Sequence, residues 1–407
     1  MSHDRNDVPP GGSCRGHGHH HHHSHGDDHS HGDDHSHGHD HPHGQGGCGA
    51  GGGCGCAATP EAGAADARVT LPDAAANPIL IEVTRGPLAE SVHRGRAVAV
   101  GADGHVVASW GDHRSVVYPR SSNKALQALP LIETGAADAF GLGDAELALA
   151  CASHRGEPVH TEAVAAWLAR IGLSVDDLEC GAHAPYDSPT WEAMLRRGEG
   201  FSALHNNCSG KHTGMLTTAL HRGEPTRGYV GYQHPVQQRI LGVLEQMTGL
   251  DLSRAPWGID GCSIPTIGVP LDSLAFAMAR LADPVDLPAR RAEAAARLLR
   301  AWGARPDLVG GSGTFDTGFM QATGSRILVK SGAEGVCCAV VPEAGIGIAV
   351  KIDDGTGRAA GPAMAAVLRR LDLIDEADWE RVQALVRPPV LNRRELAVGE
   401  VRAAPGF

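Results

Sequence analysis

Residues 79–112, ILIEVTRGPLAESVHRGRAVAVGADGHVVASWGD, read as three short β-strands separated by glycine turns. Strand character returns only near the other end, at 326–342, RILVKSGAEGVCCAVVP, and at 346–355, IGIAVKIDDG, which together read as a hairpin. Helical periodicity fills the space between. Segments 121–140, 144–154, 160–172, 209–223, 234–249, 273–282 and 288–304 all carry it, and 360–374 adds a helix after the hairpin. Strands first, helices in the middle, then strands and a helix is an α+β order rather than an alternating one. The expected architecture is an antiparallel sheet built from both ends of the region, with a helical part inserted between.

The chain has 407 residues and a net charge of −12, which argues against a nucleic-acid partner, since that needs a basic footprint. No apolar run approaches the ~18 residues of a membrane span, so no membrane partner is expected. A basic-then-apolar leader pattern is missing, and the expected location is cytoplasmic. Ten cysteines in so long a chain do not make a disulfide framework and are expected to be reduced.

Composition divides the chain. Residues 1–56 hold 15 of the 25 histidines, and His-Ser-His-Gly-Asp-Asp occurs at 23–28 and again at 29–34. With almost no aliphatic residues this segment buries no core, so a disordered tail is expected. Its His, Asp and Cys suit further divalent metal such as zinc, nickel or cobalt. An Ala/Pro linker is expected over 57–76 and a catalytic domain over 77–407. His93, His105 and His113 fall on polar turns and read as solvated.

Three short patterns carry chemistry. Ser121-Ser-Asn-Lys124 places a hydroxyl and an amine at i and i+3, one face of a helix, where a lysine of lowered pKa takes a serine's proton. Alone it also reads as a helix cap with a solvated lysine. Ser153, ending an apolar helix, and Lys330-Ser-Gly, on a late strand, supply the other parts of a Ser-x-x-Lys, Ser, Lys-[Ser/Thr]-Gly set in matching order. Cys208 and Cys262, with Asp260 and with Lys211 if neutral, form a zinc donor set if their segments meet; otherwise the two cysteines read as small buried apolar groups.

The motifs PRSSNKALQALPL (119–131), CASHRGEPVHTEAV (151–164), CGAHAPYD (180–187), NNCSGKHTGML (206–216), GIDGCSIPTIGVPL (258–271), GTFDTGFM (313–320), VKSGAEGV (329–336) and VKIDDG (350–355) together resemble the asparaginase II family, the rhizobial-type class 3 L-asparaginases. The resemblance covers about 78–405. It implies a serine β-lactamase/penicillin-binding fold, hydrolysis of L-asparagine to L-aspartate and ammonia, and a homodimer. It pairs Ser121 with Lys124 and Ser153 with Lys330. It makes Cys208, Lys211 and Cys262 the ligands of a zinc that tunes substrate binding, with Asp260 beside it. Arg120 is the candidate for the substrate's α-carboxylate and Asp260 for its α-ammonium. The sequence departs from the family pattern at Asn123, Ala125, Arg155 and Thr314, which bears on substrate preference. Alternative readings are a Ser-x-x-Lys hydrolase of glutamine, a β-lactam or a peptide, and a His-rich metal-buffering protein.

Overall fold

A computed structural model describes residues 77–407; the expected His-rich tail (1–56) and linker (57–76) lie outside the described residues. The described chain opens with strands β1 (Ile79–Arg85), β2 (Leu88–Gly101), β3 (Val106–Trp110) and β4 (Val116–Val117), then a 3₁₀ turn at Arg120–Asn123. Helices follow: α1 (Lys124–Glu133), α2 (Ala136–Ala139), α3 (Asp144–Ala150), α4 (Pro158–Arg170), α5 (Ser188–Arg197), α6 (Ser209–Arg222) and α7 (Pro235–Thr248). Short strands β5 (Trp257–Ile259), β6 (Pro265–Ile267) and β7 (Val269–Pro270) precede α8 (Leu271–Ala282), α9 (Ala289–Ala304), α10 (Pro306–Val309) and α11 (Phe315–Ala322). The chain then forms β8 (Leu328–Ser331), β9 (Val336–Val341), β10 (Ile346–Ile352), α12 (Gly357–Arg370), α13 (Glu376–Val386), β11 (Pro389–Leu391) and β12 (Ala397–Ala403).

Eight strands make one antiparallel sheet in the order β11-β12-β1-β2-β10-β9-β8, with β3 also on β2. The α+β class and the joining of the end strands are as expected. Strand β2 changes partners midway. Its first half pairs with β1, and Gly95–Gly101 pairs with β10, while Ala97–Val100 also carry β3. Helix α8 lies on β2, β9 and β10, and α12 packs against β9, β10, β1 and β12. The central strands are therefore covered on both faces, and Cys337 and Cys338, which point to opposite sides, are both fully buried. Gly347 lets α8 sit this close: a Cβ there would lie 2.1 Å from the Ala275 carbonyl oxygen.

Local chemistry moves some boundaries. The expected helix 121–140 is a 3₁₀ turn, α1 and α2, because Gly135 adopts a left-handed φ of +84° between the two helices. Helix α3 is capped by Gly143 rather than by Asp144, and the Glu146 carboxylate accepts from the Gly143 N–H at 3.0 Å. His93 is buried rather than solvated. Its Nδ1 lies 2.6 Å from Asp354 Oδ2, and its Nε2 accepts from Arg358 Nε at 3.0 Å, tying β2 to the start of α12. No helix among the described residues is long and apolar enough to cross a membrane.

Candidate active site

The end of β8, the turn before α1, the chain after α3 and the start of α11 meet at a cavity of about 260 Å³. Ser121, Ser153, Asn207, Asp316, Lys330 and Ala333 are among its lining residues. Ser121 sits on the 3₁₀ turn directly after Arg120, whose φ of +52° is left-handed for a residue with a Cβ. Such backbone costs about 1–2 kcal/mol, so the surrounding packing must hold it. Part of that packing is Gly332. A Cβ there would stand 3.0 Å from both the Pro119 carbonyl oxygen and the Ser122 nitrogen, so the glycine of Lys-Ser-Gly lets the strand end close on the serine turn. Among the described residues no hydrogen bond engages the Ser121 hydroxyl, and the backbone N–H groups of Ser121 and Ala333 meet no acceptor.

Lys124, the first residue of α1, is buried. Its Nζ donates to Ser153 Oγ at 2.9 Å and to the Ala152 carbonyl. The hydrogen-bonded partner of Lys124 is thus Ser153 rather than Ser121. An i, i+3 contact needs a continuous helix, whereas Ser121 precedes α1 on a tighter turn. Burial holds the Lys124 ammonium below the ordinary lysine range; the sulfur of Cys208 opposes this, and the ammonium groups of Lys211 and Lys330 add to it.

Lys330 also has a partner other than the expected Ser153. Its Nζ donates to Asp316 Oδ2 at 2.9 Å and to the Ser331 carbonyl at 2.8 Å. Asp316, in the first turn of α11, is buried and further accepts from Ser331 N–H at 2.9 Å and Ser331 Oγ at 2.5 Å. Lysine and carboxylate are 1% and 5% exposed, so this is a buried ion pair. Sequence reasoning did not single out Asp316, although GTFDTGFM contains it. Nothing in that motif says that α11 begins beside β8.

Arg120 and Asp260 bind each other. Arg120 Nε donates to Asp260 Oδ1 at 2.7 Å, so the two residues expected at the ends of the substrate are paired with each other. Neither lines the cavity of Ser121. Asp260 is held below its usual range: burial works against this, but Lys211 and Arg120 outweigh it.

The expected metal ligands do converge. Cys208 caps α6, Lys211 lies in its first turn, and Lys211 Nζ donates to Cys262 Sγ at 3.0 Å. Gly210 permits this helix start, since a Cβ there would stand 2.5 Å from the Leu149 carbonyl oxygen at the end of α3. The neighbouring Cys208 thiol, with the Lys211 ammonium, holds Cys262 down to about 5, and Cys208 in turn is pushed up to about 12 by Cys262 and by burial. Burial opposes the Lys211 charge, yet the two sulfurs raise its pKa above the ordinary value. Among the described residues no group of three or more His, Cys, Asp and Glu is placed to hold a metal, so a site here would need the lysine. Two sulfurs and an amine nitrogen fit zinc chemically, and a buried ammonium on a thiolate already fills the cation's place.

Residues 81–403 match the family described as L-asparaginase II. Among curated proteins nothing matches. Among solved structures, a β-lactamase of Mycobacterium bovis is similar at a TM-score of 0.37 and 15% identity, covering 68% of this chain and 94% of its own. A chain assigned as a β-lactamase, from Bacteroides dorei DSM 17855, is similar at 0.38 and 11%, covering 69% and 93%.

Proposed function

The chain belongs to the L-asparaginase II family, whose members hydrolyse amides, and from that premise we propose that it hydrolyses the side-chain amide of L-asparagine to L-aspartate and ammonia. The observation that carries the reading is an uncommitted serine hydroxyl lining the same cavity as Ser153, which is hydrogen-bonded to a buried lysine of lowered pKa. Ammonia release by the full-length protein is the test, with L-glutamine as comparison. Release from asparagine several-fold faster than from glutamine is expected. Absence of release from both would remove the reading.

In this mechanism Ser121 Oγ attacks the amide carbon. A neutral Lys124 amine spends its two N–H bonds on Ala152 and Ser153, which leaves the nitrogen lone pair to take the serine proton. Ser153 Oγ, held by Lys124, relays that proton to the departing nitrogen as the C–N bond breaks and ammonia leaves. The free N–H groups of Ser121 and Ala333 are the donors available to the developing oxyanion. Lys330, paired with Asp316, keeps its ammonium near enough to Lys124 to disfavour protonation of that amine. Water then cleaves the aspartyl ester by the same relay. A second reading makes Ser153 the nucleophile; its 2.9 Å hydrogen bond to Lys124 favours it.

The same reading gives zinc to Cys208, Lys211 and Cys262. An ion held by these three residues would supply a fixed positive charge and tune substrate binding. Lys211 joins only after giving up its proton. Full-length Cys262→Ser is expected to carry one zinc fewer per chain than the parent by elemental analysis, and equal zinc contents would remove this part. The reading also takes the protein to be a cytoplasmic homodimer with a catalytic domain over 77–407, whose segment 1–56 binds further divalent metal.

A further inference from the structure

Polar side chains around the cavity are nearly all committed to one another. Ser153 accepts from Lys124. Lys330 and Ser331 both donate to Asp316. The Thr314 hydroxyl donates to the Gly311 carbonyl and accepts from the Thr317 N–H. Among the described residues two polar side chains of the lining have no hydrogen-bond partner: Ser121, assigned above to the chemistry, and Asn207.

Asn207 follows a residue of the same type with the opposite fate. Asn206 is buried and fully occupied, donating to the Cys180 and Gly181 carbonyls and accepting from the Cys208 N–H. Asn207 is half-buried. Its main chain is anchored on both sides, the N–H donating to His183 Nε2 at 3.1 Å and the carbonyl accepting from the His154 N–H at 3.2 Å. Only the carboxamide is left over, on a backbone fixed immediately before the Cys208 helix cap. A polar side chain on an anchored main chain, left without a partner at a cavity wall, is suited to a ligand.

Charge narrows what that ligand is. The Lys330 charge is balanced by Asp316, and Lys124 serves as a neutral amine, so the cavity presents no unbalanced charge from these groups. A carboxamide carries both an N–H donor and a carbonyl acceptor, so one side chain can meet a carboxylate and an ammonium together. We propose that Asn207 binds the α-amino-acid head group of the substrate, Nδ2–H donating to the α-carboxylate and Oδ1 accepting from the α-ammonium. The inference rests on the amide-hydrolysis reading and assigns the substrate class: a zwitterionic α-amino acid with a side-chain amide.

The test is calorimetric binding to the full-length Ser121→Ala protein, with and without a second change at Asn207. Three ligands are compared near neutral pH: L-asparagine, 3-carbamoylpropanoate, which lacks the ammonium, and 3-aminopropanamide, which lacks the carboxylate. Asn207→Ala is expected to weaken L-asparagine about 10- to 100-fold, the range for a lost hydrogen bond to a charged group, and each truncated amide by less. Asn207→Asp keeps the size and adds a negative charge. It is expected to weaken L-asparagine and 3-carbamoylpropanoate, yet to tighten the cationic 3-aminopropanamide, a sign change that a purely structural role would not produce. Parent-like asparagine binding by Asn207→Ala overturns the proposal, as does an equal loss for all three ligands. If the Ser121→Ala protein itself binds no L-asparagine, the substrate reading fails and this proposal fails with it.

Discussion

Ser121→Ala will release ammonia from L-asparagine at least about 10³-fold more slowly than the parent, while Ser153→Ala will lose only about 10²-fold, as measured by kcat on the full-length protein. The larger figure follows from removing the atom that forms the covalent bond; what survives is binding and oxyanion stabilisation. The smaller one follows from the relay role, since water can occupy part of the space the Ser153 hydroxyl leaves beside Lys124. An aspartyl ester found on Ser121 by peptide mass spectrometry after acid quench is the companion result. The reverse ranking, with the ester on Ser153, would transfer the nucleophile's role to the serine that already holds the lysine at 2.9 Å.

Asp316→Ala should be among the most destabilising single changes in the molecule, at about 3–5 kcal/mol by denaturant unfolding. The size comes from what is left behind. Lys330 is 1% exposed, and without Asp316 its remaining partner is the Ser331 carbonyl. An unpaired ammonium in such surroundings is far costlier than the lost attraction alone. The Ser331 hydroxyl and N–H lose their acceptor at the same time. Asp316→Ala combined with Lys330→Met should recover most of the stability, because no buried charge then remains, but not the activity. A single variant within about 1 kcal/mol of the parent would show that the pair is not what holds β8 to α11. Equal losses for the single and double variants would put the cost in packing rather than in charge.

Much of this was legible along the chain, and the failures have a common cause. The short strands set apart by glycine turns at 79–112 and the strand pair at 326–355 pointed to the sheet because strand and turn preference are properties of each residue type. Ser121, Lys124, Ser153 and Lys330 could be picked out because reactive types stood in a telling order. What could not be read was which side chain meets which. Lys124 turned to Ser153 because the helix starts one turn later than its pattern suggests. Lys330 found Asp316, and Arg120 found Asp260 across 140 positions, through contacts made only once the elements are packed. Asn207 was invisible for a subtler reason. Its interest lies in lacking a partner, and next to an identical residue fully engaged in the core, sequence offers no sign of which asparagine is free.

The change of partners in β2 bears on how the molecule is made. Its second half bonds to β10, so Gly101 waits for Ile346, and β1 waits for β12, where Ile81 meets Ala403. At the ~5–20 residues per second of synthesis, that gap is roughly 10–60 s, during which the first hairpin has emerged while its lasting neighbours have not. Throughout that time the open side of Ala97–Val100 is an apolar strand with unpaired main chain, the kind of surface that sticks to other nascent chains. Expression slowed by temperature lengthens this interval, whereas chaperones that hold extended apolar segments would shield it. Yield of soluble protein should therefore respond more to chaperone supply than to cooling.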